Sequence, residues 1–197
     1  MSDDLAETVA RYHEAFWGSP AAEFARLRGW THSTIERFAL GYVELEHWGP
    51  CLAFPYQSGL FQWRGFRYRR LADRKPKVIA PGFKIHLFAI RAADEAFPVI
   101  CEGESDCLVS WQCGMKAVGV PGALNWKPEW AWLFRDAREV VLAFDADDAG
   151  HRGSHKISRS LTKAGVNWRT ADIPEGRDLN DLYLEAGASR VREVLGL

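Results

Sequence analysis

Residues 140–150 read VVLAFDADDAG, five apolar residues running straight into Asp145, Asp147 and Asp148, with Gly150 behind them. A short apolar run bounded by turn-forming residues reads as a strand buried on both faces. Ending such a strand in crowded like charges costs repulsion unless something positive sits at the same place. The surrounding sequence must therefore supply the positive group or the reason to bind one.

The segments from Phe97 onward repeat this rhythm. PVICEG, KAVGV, EVVLAF and NWRTADIP read as strands, while SDCLVSWQCG, KPEWAWLF, AGHRGSHKISRSLTKAG and DLNDLYLEAG read as helices. Strand–helix alternation implies right-handed crossovers and a parallel sheet flanked by helices. Active sites in such sheets gather at the carboxyl ends of the strands. Two strands end there in acid: PVICEG delivers Glu102, and EVVLAFDADD delivers Asp145 and Asp147. An oxygen-only donor set of this kind suits Mg²⁺ or Mn²⁺ and not zinc. A divalent cation would offset the repulsion. A lone Asp-x-Asp at a strand end more often makes a turn and a helix cap, and Ser105 in EGESD has the same plain reading as a cap. The two acidic strand ends taken together outweigh that.

Before residue 95 the pattern differs. Residues 4–16 read as a helix. A second begins at Ser19 as N-cap with Pro20 in its first turn and closes at Gly29, and Thr31–Leu40 reads as a third ending at Gly41. Cys51–Pro55 and Leu60–Arg69 alternate like an antiparallel hairpin turned at Ser58-Gly59. The expected organisation is an α/β chain: a mixed α+β basic subdomain over residues 1–95 and a parallel-sheet domain over 96–197.

The formal net charge of −1 conceals an asymmetry, because residues 60–91 hold nine Lys or Arg against one Asp. A basic segment beside an acidic one suits an enzyme holding a polyanion and a divalent cation together. Arg67, Arg69, Arg70, Arg74, Lys75, Lys77 and Lys84 offer such cations. Trp63, Phe66 and Tyr68 lie among them, either to stack on bases or to form the inner face of the hairpin. Trp111, Trp126, Trp130 and Trp132 read as packing residues on helices.

Other features bound the function. The cysteines, Cys51, Cys101, Cys107 and Cys113, form no Cys-x-x-Cys pair and read as reduced, buried thiols. His47 and Cys51 lack companion ligands. His151 and His155 have helical metal-pair spacing without the glutamate of a zinc protease, and read as solvent-facing. No apolar run approaches the roughly 18 residues of a membrane span. The acidic N-terminus is unlike a signal peptide, so a cytoplasmic protein is expected.

A strand ending in Glu-Gly with an Asp four residues on, then a strand ending in Asp-x-Asp and Gly, resembles the Toprim domain. That domain occurs in DnaG-type primases, in type IA and type II topoisomerases and in some nucleases. The matching stretches are VICEGESDCLVSWQCGMKAVGVPGALNW, VVLAFDADDAGHRG and IPEGRDLNDLY. The resemblance implies that Glu102 is the lead catalytic residue, that Asp145 and Asp147 bind metal, and that Asp178 is a further metal-site acid. It implies supporting roles for Asp106 and for Asn180 or Asp181.

The first half chooses among these activities. SPAAEFARLRGWTHSTIERFALGYVE resembles the segment of DnaG-type primases in which a helix precedes a Gly, a short helix follows and a Gly-Tyr pair ends it, and LAFPYQSGLFQWRGFRYRRLADRKPKVIAPGFKIHLFAI resembles the basic subdomain of that family. On that match Arg69, Lys77 and Lys84 bind template or the phosphates of incoming nucleotides. The implied activity is synthesis of short primers by two-metal nucleotidyl transfer. The implied partners are a single-stranded DNA template, nucleoside triphosphates and a separately encoded replicative helicase, with no membrane. The sequence shows no zinc-ribbon pattern and no Walker A motif, so it resembles a bare catalytic core. Such a core would come from a phage, plasmid or other mobile element, or be a piece of a longer polypeptide. The competing readings are a metal-dependent Toprim nuclease acting on RNA or DNA, and a non-catalytic nucleic-acid-binding module.

Overall fold

The computed structural model describes residues 2–73, 75–84, 86–122 and 125–196, and Arg74 lies outside them. The chain forms two units, residues 1–84 and 85–197.

The first unit opens with three helices, α1 (Ser2–Glu14), α2 (Pro20–Leu27) and α3 (His32–Arg37). Ser19 caps α2 by accepting from the backbone N–H groups of Ala21 and Ala22, and Thr31 caps α3 through the N–H of Thr34. The third helix stops short of Leu40 because Ala39 turns left-handed at φ 47°. Gly41 then begins a strand instead of merely closing a helix. The sheet is antiparallel in the order β1 (Gly41–Leu45), β2 (Gly49–Gln57), β3 (Trp63–Arg70) and β4 (Val78–Ile79). The β2–β3 hairpin is the expected one, but its loop runs over residues 58–62 and is longer than a Ser-Gly turn. Alternation sends Phe66 and Tyr68 to the face that packs with Val9, Ala53 and Tyr12. Phe66 and Tyr68 therefore belong to the core of this unit, and the inner-face reading holds.

The second unit carries the parallel sheet, in the order β6 (Ala117–Val120), β5 (Val99–Glu102), β7 (Val140–Ala143) and β8 (Trp168–Thr170). The helices that accompany it include two 3₁₀ helices, Ile90–Asp94 and Pro128–Phe134, with α4 (Glu104–Gln112), α5 (Asp148–Lys163) and α6 (Leu179–Val194). One core cluster sets Ile100, Val118, Leu142, Phe144, Ile157 and Leu161 together under α5 and the second 3₁₀ helix. Helix α4 packs against α6, and Cys107 and Leu108 on the one and Leu182 and Val191 on the other are all buried. All four cysteines are buried free thiols.

This unit begins about ten residues before the expected 95/96 boundary, since Phe88 pairs through its backbone with Gly119 and Ala92 and Ala93 enter its core. The segment 128–134 is 3₁₀ and not α-helical. Its period of three residues turns Ala131 and Phe134 inward and leaves Trp132 61% exposed, against the packing role expected for it. Trp126 is buried, with Trp111 and Trp130 packed against the same core.

The strand order is what positions chemistry. From β5 the chain moves outward to β6, then returns to the other side of β5 to make β7. The crevice between the carboxyl ends of β5 and β7 is thus a topological switch point. Cys101 pairs with Ala143, which puts Glu102 one residue and Asp145 two residues beyond that level. Gly150, in the first turn of α5, lies so close that a Cβ there would sit 2.1 Å from the Asp145 carbonyl oxygen. Gly150→Ala should therefore cost about 1–3 kcal/mol of stability. Gly59→Ala, where a Cβ would meet nothing, should change stability by less than about 0.5 kcal/mol. Denaturant titration of the two variants checks this, and equal stabilities would contradict it.

Candidate functional site

Three short segments bring acids to the switch point. The first is the end of β7, where Asp145 follows the buried Phe144 and is itself half-buried. The second is the start of α5. Asp147 is its N-cap, with the backbone still extended at φ −123°, and its Oδ1 accepts from the Gly150 N–H at 2.7 Å. The third is the start of α6, where Asp178 and Asp181 form a capping box. Asp178 Oδ1 accepts from the Asp181 N–H at 2.7 Å, and Asp181 Oδ2 accepts from the Asp178 N–H at 3.3 Å. The helix-cap reading of Asp-x-Asp is thus realised at Asp147, and the same residue still faces the shared cleft.

Asp145, Asp147, Asp178 and Asp181 line one cleft of about 260 Å³, together with Ala146, Gly176 and Arg177. The Arg177 guanidinium is held by Glu185 at 2.6 Å, which partly spends its charge on a surface ion pair. Asn180, beside the capping box, is fully buried.

Electrostatics confirm the crowding. Burial pushes the Asp145 carboxyl up to about 7, and the charges of Glu102, Asp178, Asp147 and Asp181 push in the same direction. Glu102 is not among the residues lining the cleft, but among the neighbouring charges it has the largest effect on Asp145. It stands half-buried at the end of β5, with Oε2 shielded from solvent. Two helix N-termini supply part of the missing positive charge, since the dipoles of α5 and α6 favour carboxylates at their first turns. Among the described residues, no three acid, imidazole or thiol side chains already close around a point that would hold a metal ion. The donor set is all oxygen and carries surplus negative charge, so it fits a hard divalent cation.

Asp106 lies apart from the cleft lining, 5% exposed in the first turn of α4, beside Glu104 at 7%. Its charge and burial raise the thiol of Cys101, burial being the larger cause. The N-cap of α4 is Gly103 and not Ser105, and it has no side-chain cap bond. Sequence reasoning passed over Glu104, whose burial beside Asp106 is set by α4 packing and has no signature in EGESD. It also missed that Gly150 braces Asp145.

In the first unit the basic residues divide. The Arg69 guanidinium lies over the Phe24 ring, 4.8 Å from its centroid. Arg70 stacks on Trp48, and donates to the backbone carbonyls of Trp48 and Lys75 at 3.3 and 3.1 Å. That ties β3 to the segment leading into β4, a structural duty. Arg67 is half-buried, while Lys75, Lys77 and Lys84 are exposed.

Comparison with known proteins matches this architecture. Residues 99–183 fit the Toprim-like family model. The Gene 57 protein of Mycobacterium phage D29 is 37% identical over 151 residues, which cover 73% of this chain and 96% of that protein. The DNA primase of Halalkalibacterium halodurans is 28% identical over 73% of the chain, but the match covers only 26% of that enzyme. The crystal structure of the zinc-binding and RNA polymerase domains of Aquifex aeolicus primase superposes with a TM-score of 0.85 at 22% identity, covering 98% of this chain and 59% of that one. The chain thus spans about a quarter of the curated primase and over half of the solved fragment. With its switch-point acids and its antiparallel basic unit, it belongs to the DnaG-type primase family of Toprim proteins.

Proposed function

We propose that the chain is a primase catalytic core, which builds short primers on single-stranded DNA by joining a 3′-hydroxyl to the α-phosphate of a nucleoside triphosphate. The observation that carries this reading is the cleft where four aspartates meet, in which burial, and after it the charge of Glu102, pushes the Asp145 carboxyl up to about 7. A carboxylate so disfavoured is poised to gain a positive partner.

Glu102, Asp145, Asp147 and Asp178 would hold Mg²⁺ or Mn²⁺. When bound, the cation lowers the pKa of the attacking hydroxyl and offsets charge on the phosphates. The chain's own residues do the rest. Backbone N–H groups fix one oxygen each of Asp147, Asp178 and Asp181, so those carboxylates are oriented before any ligand arrives. Glu102, half-buried at its strand end, takes the proton of the attacking hydroxyl. Exposed Lys77 and Lys84 bind phosphates of template or nucleotide, with Arg67 and Arg69 lending charge from β3. Burial pushes up the thiols of Cys101, Cys107 and Cys113, which disfavours the thiolate a zinc site needs. A separately encoded helicase as partner and a cytoplasmic location complete the proposal. No described helix is long and apolar enough to cross a membrane.

Three outcomes are expected. Incubated with single-stranded DNA, labelled nucleotides and Mn²⁺, the protein should yield short labelled products. Glu102→Gln or Asp145→Asn should cut that yield by about 100-fold or more, leaving strand binding intact. Retained synthesis in both variants, or shortened nucleic acid in place of primers, would contradict the assignment.

The Asp145 carboxyl also makes stability depend on pH. Its folded value of about 7 lies above the ordinary 3.8, so its contribution is complete below about pH 3.8 and is lost as the pH rises through about 7. In chelator, the stability difference between the parent protein and Asp145→Asn should shift against the parent over that window. Mg²⁺ should recover more parent stability at pH 8 than at pH 5. A pH-independent difference in thermal midpoints would count against it.

Finally, Lys77→Ala should reduce the log–log salt slope of oligonucleotide binding by about 0.7. An unchanged slope would remove Lys77 from the interface.

A further inference from the structure

The second unit has a second concave feature, distinct from the aspartate cleft. It is a groove of about 560 Å³ between α5 and the 3₁₀ helix, lined by Trp132 and Glu129 on one wall and by His155, Lys156, Arg159 and Lys163 on the other. Glu129 is the one acid among these lining residues.

The basic wall is built into the helix pattern. Arg152, Lys156, Arg159 and Lys163 stand at i, i+4, i+7 and i+11 of α5, and all four are exposed. The opposite face of the helix buries Ile157 and Leu161 in the core, so the stripe cannot rotate away from solvent. At 1.5 Å per residue it extends about 16 Å. The facing wall is equally constrained. Ala131 and Phe134 anchor the 3₁₀ helix in the core, and the same anchoring projects Trp132 outward at 61% exposure. An indole that large, held 61% exposed on a rigid support beside a row of cations, lies outside the core.

We infer that this groove is a track for single-stranded nucleic acid, with phosphates on the α5 stripe and a base stacked on Trp132. Regularly spaced charge on a rigid helix matches a polymer with one charge per residue, and an exposed indole matches the π-face common to every base. An acidic peptide would need an apolar seat, and the apolar lining here is confined to Pro128, Trp132 and Ala164. The stripe also begins within two turns of Asp147, the N-cap of α5 at the aspartate cleft. The proposal rests on the primase reading only for where the strand comes from; binding itself is independent of catalysis.

The test uses the full chain in EDTA, where no synthesis occurs, and reads the anisotropy of a labelled dT₃₀ oligonucleotide. The triple variant Lys156→Glu/Arg159→Glu/Lys163→Glu should weaken binding at least about tenfold and lower the log–log salt slope by about 2. Trp132→Ala should weaken it about fivefold or more with the slope unchanged. A bromouracil-substituted oligonucleotide should cross-link to the peptide containing Trp132. If the charge reversals disturb folding by circular dichroism, the corresponding glutamine variants replace them with the same expected direction. Unchanged affinity and slope in the folded triple variant would overturn the proposal. Loss of binding to polyglutamate with oligonucleotide binding intact would also overturn it, in favour of an acidic protein partner. Absence of primer synthesis by the parent protein would sink the primase reading and leave this binding result standing.

Discussion

Like charges gathered at the switch point between β5 and β7 govern the organisation of the second unit. Asp145, Asp147, Asp178 and Asp181 share a cleft, and Glu102 presses on Asp145 from the neighbouring strand. Left alone, such a set would spread apart or take up protons. The fold keeps it together through covalent and backbone means: adjacent parallel strands fix Glu102 and Asp145 in register, and helix starts fix the others. The result is a site whose surplus negative charge fits a hard divalent cation.

The bracing is specific. Gly150 lets the first turn of α5 lie directly on the backbone of Asp145, and the same N–H of Gly150 binds the Asp147 carboxylate. One residue thus sets the spacing of two acids. Gly119 does a comparable service on the far side of β5, where a Cβ would sit 2.5 Å from the Gly103 carbonyl oxygen and force back the turn after Glu102. The dipoles of α5 and α6 contribute about 0.3–1 kcal/mol each to holding negative charge at their first turns. That is too little to neutralise four carboxylates, so burial and the neighbouring charges, Glu102 first among them, still hold the Asp145 carboxyl up at about 7.

Much of this was legible from residues alone, because the second half obeys simple rules. Short apolar runs made β5, β6 and β7, and the acids after them fell where parallel topology puts strand ends. The failures have physical causes. Gly41–Leu45 is too short to announce itself as a strand before β2 supplies its partner, so Gly41 looked only like a helix stop. Pro128 and a three-residue period made a 3₁₀ turn from KPEWAWLF, and that single change moved Trp132 from core to surface. The alternation of β3 hid a division of labour among its arginines, since Arg70 is spent on Trp48 and Lys75 carbonyls that no local pattern reveals. The cap geometry of Asp178 and Asp181 and the contact of Gly150 with Asp145 exist only in three dimensions.

The central claim of the proposed function is that acids from three separate segments hold divalent cations together. Paramagnetic relaxation by substoichiometric Mn²⁺ in the nuclear magnetic resonance spectrum of isotope-labelled protein tests it most directly. The account predicts that signals from residues 102, 145–147 and 178–181 broaden together, and that excess Mg²⁺ reverses the effect. Broadening limited to one of these segments, or spread evenly over the acidic surface, would contradict it.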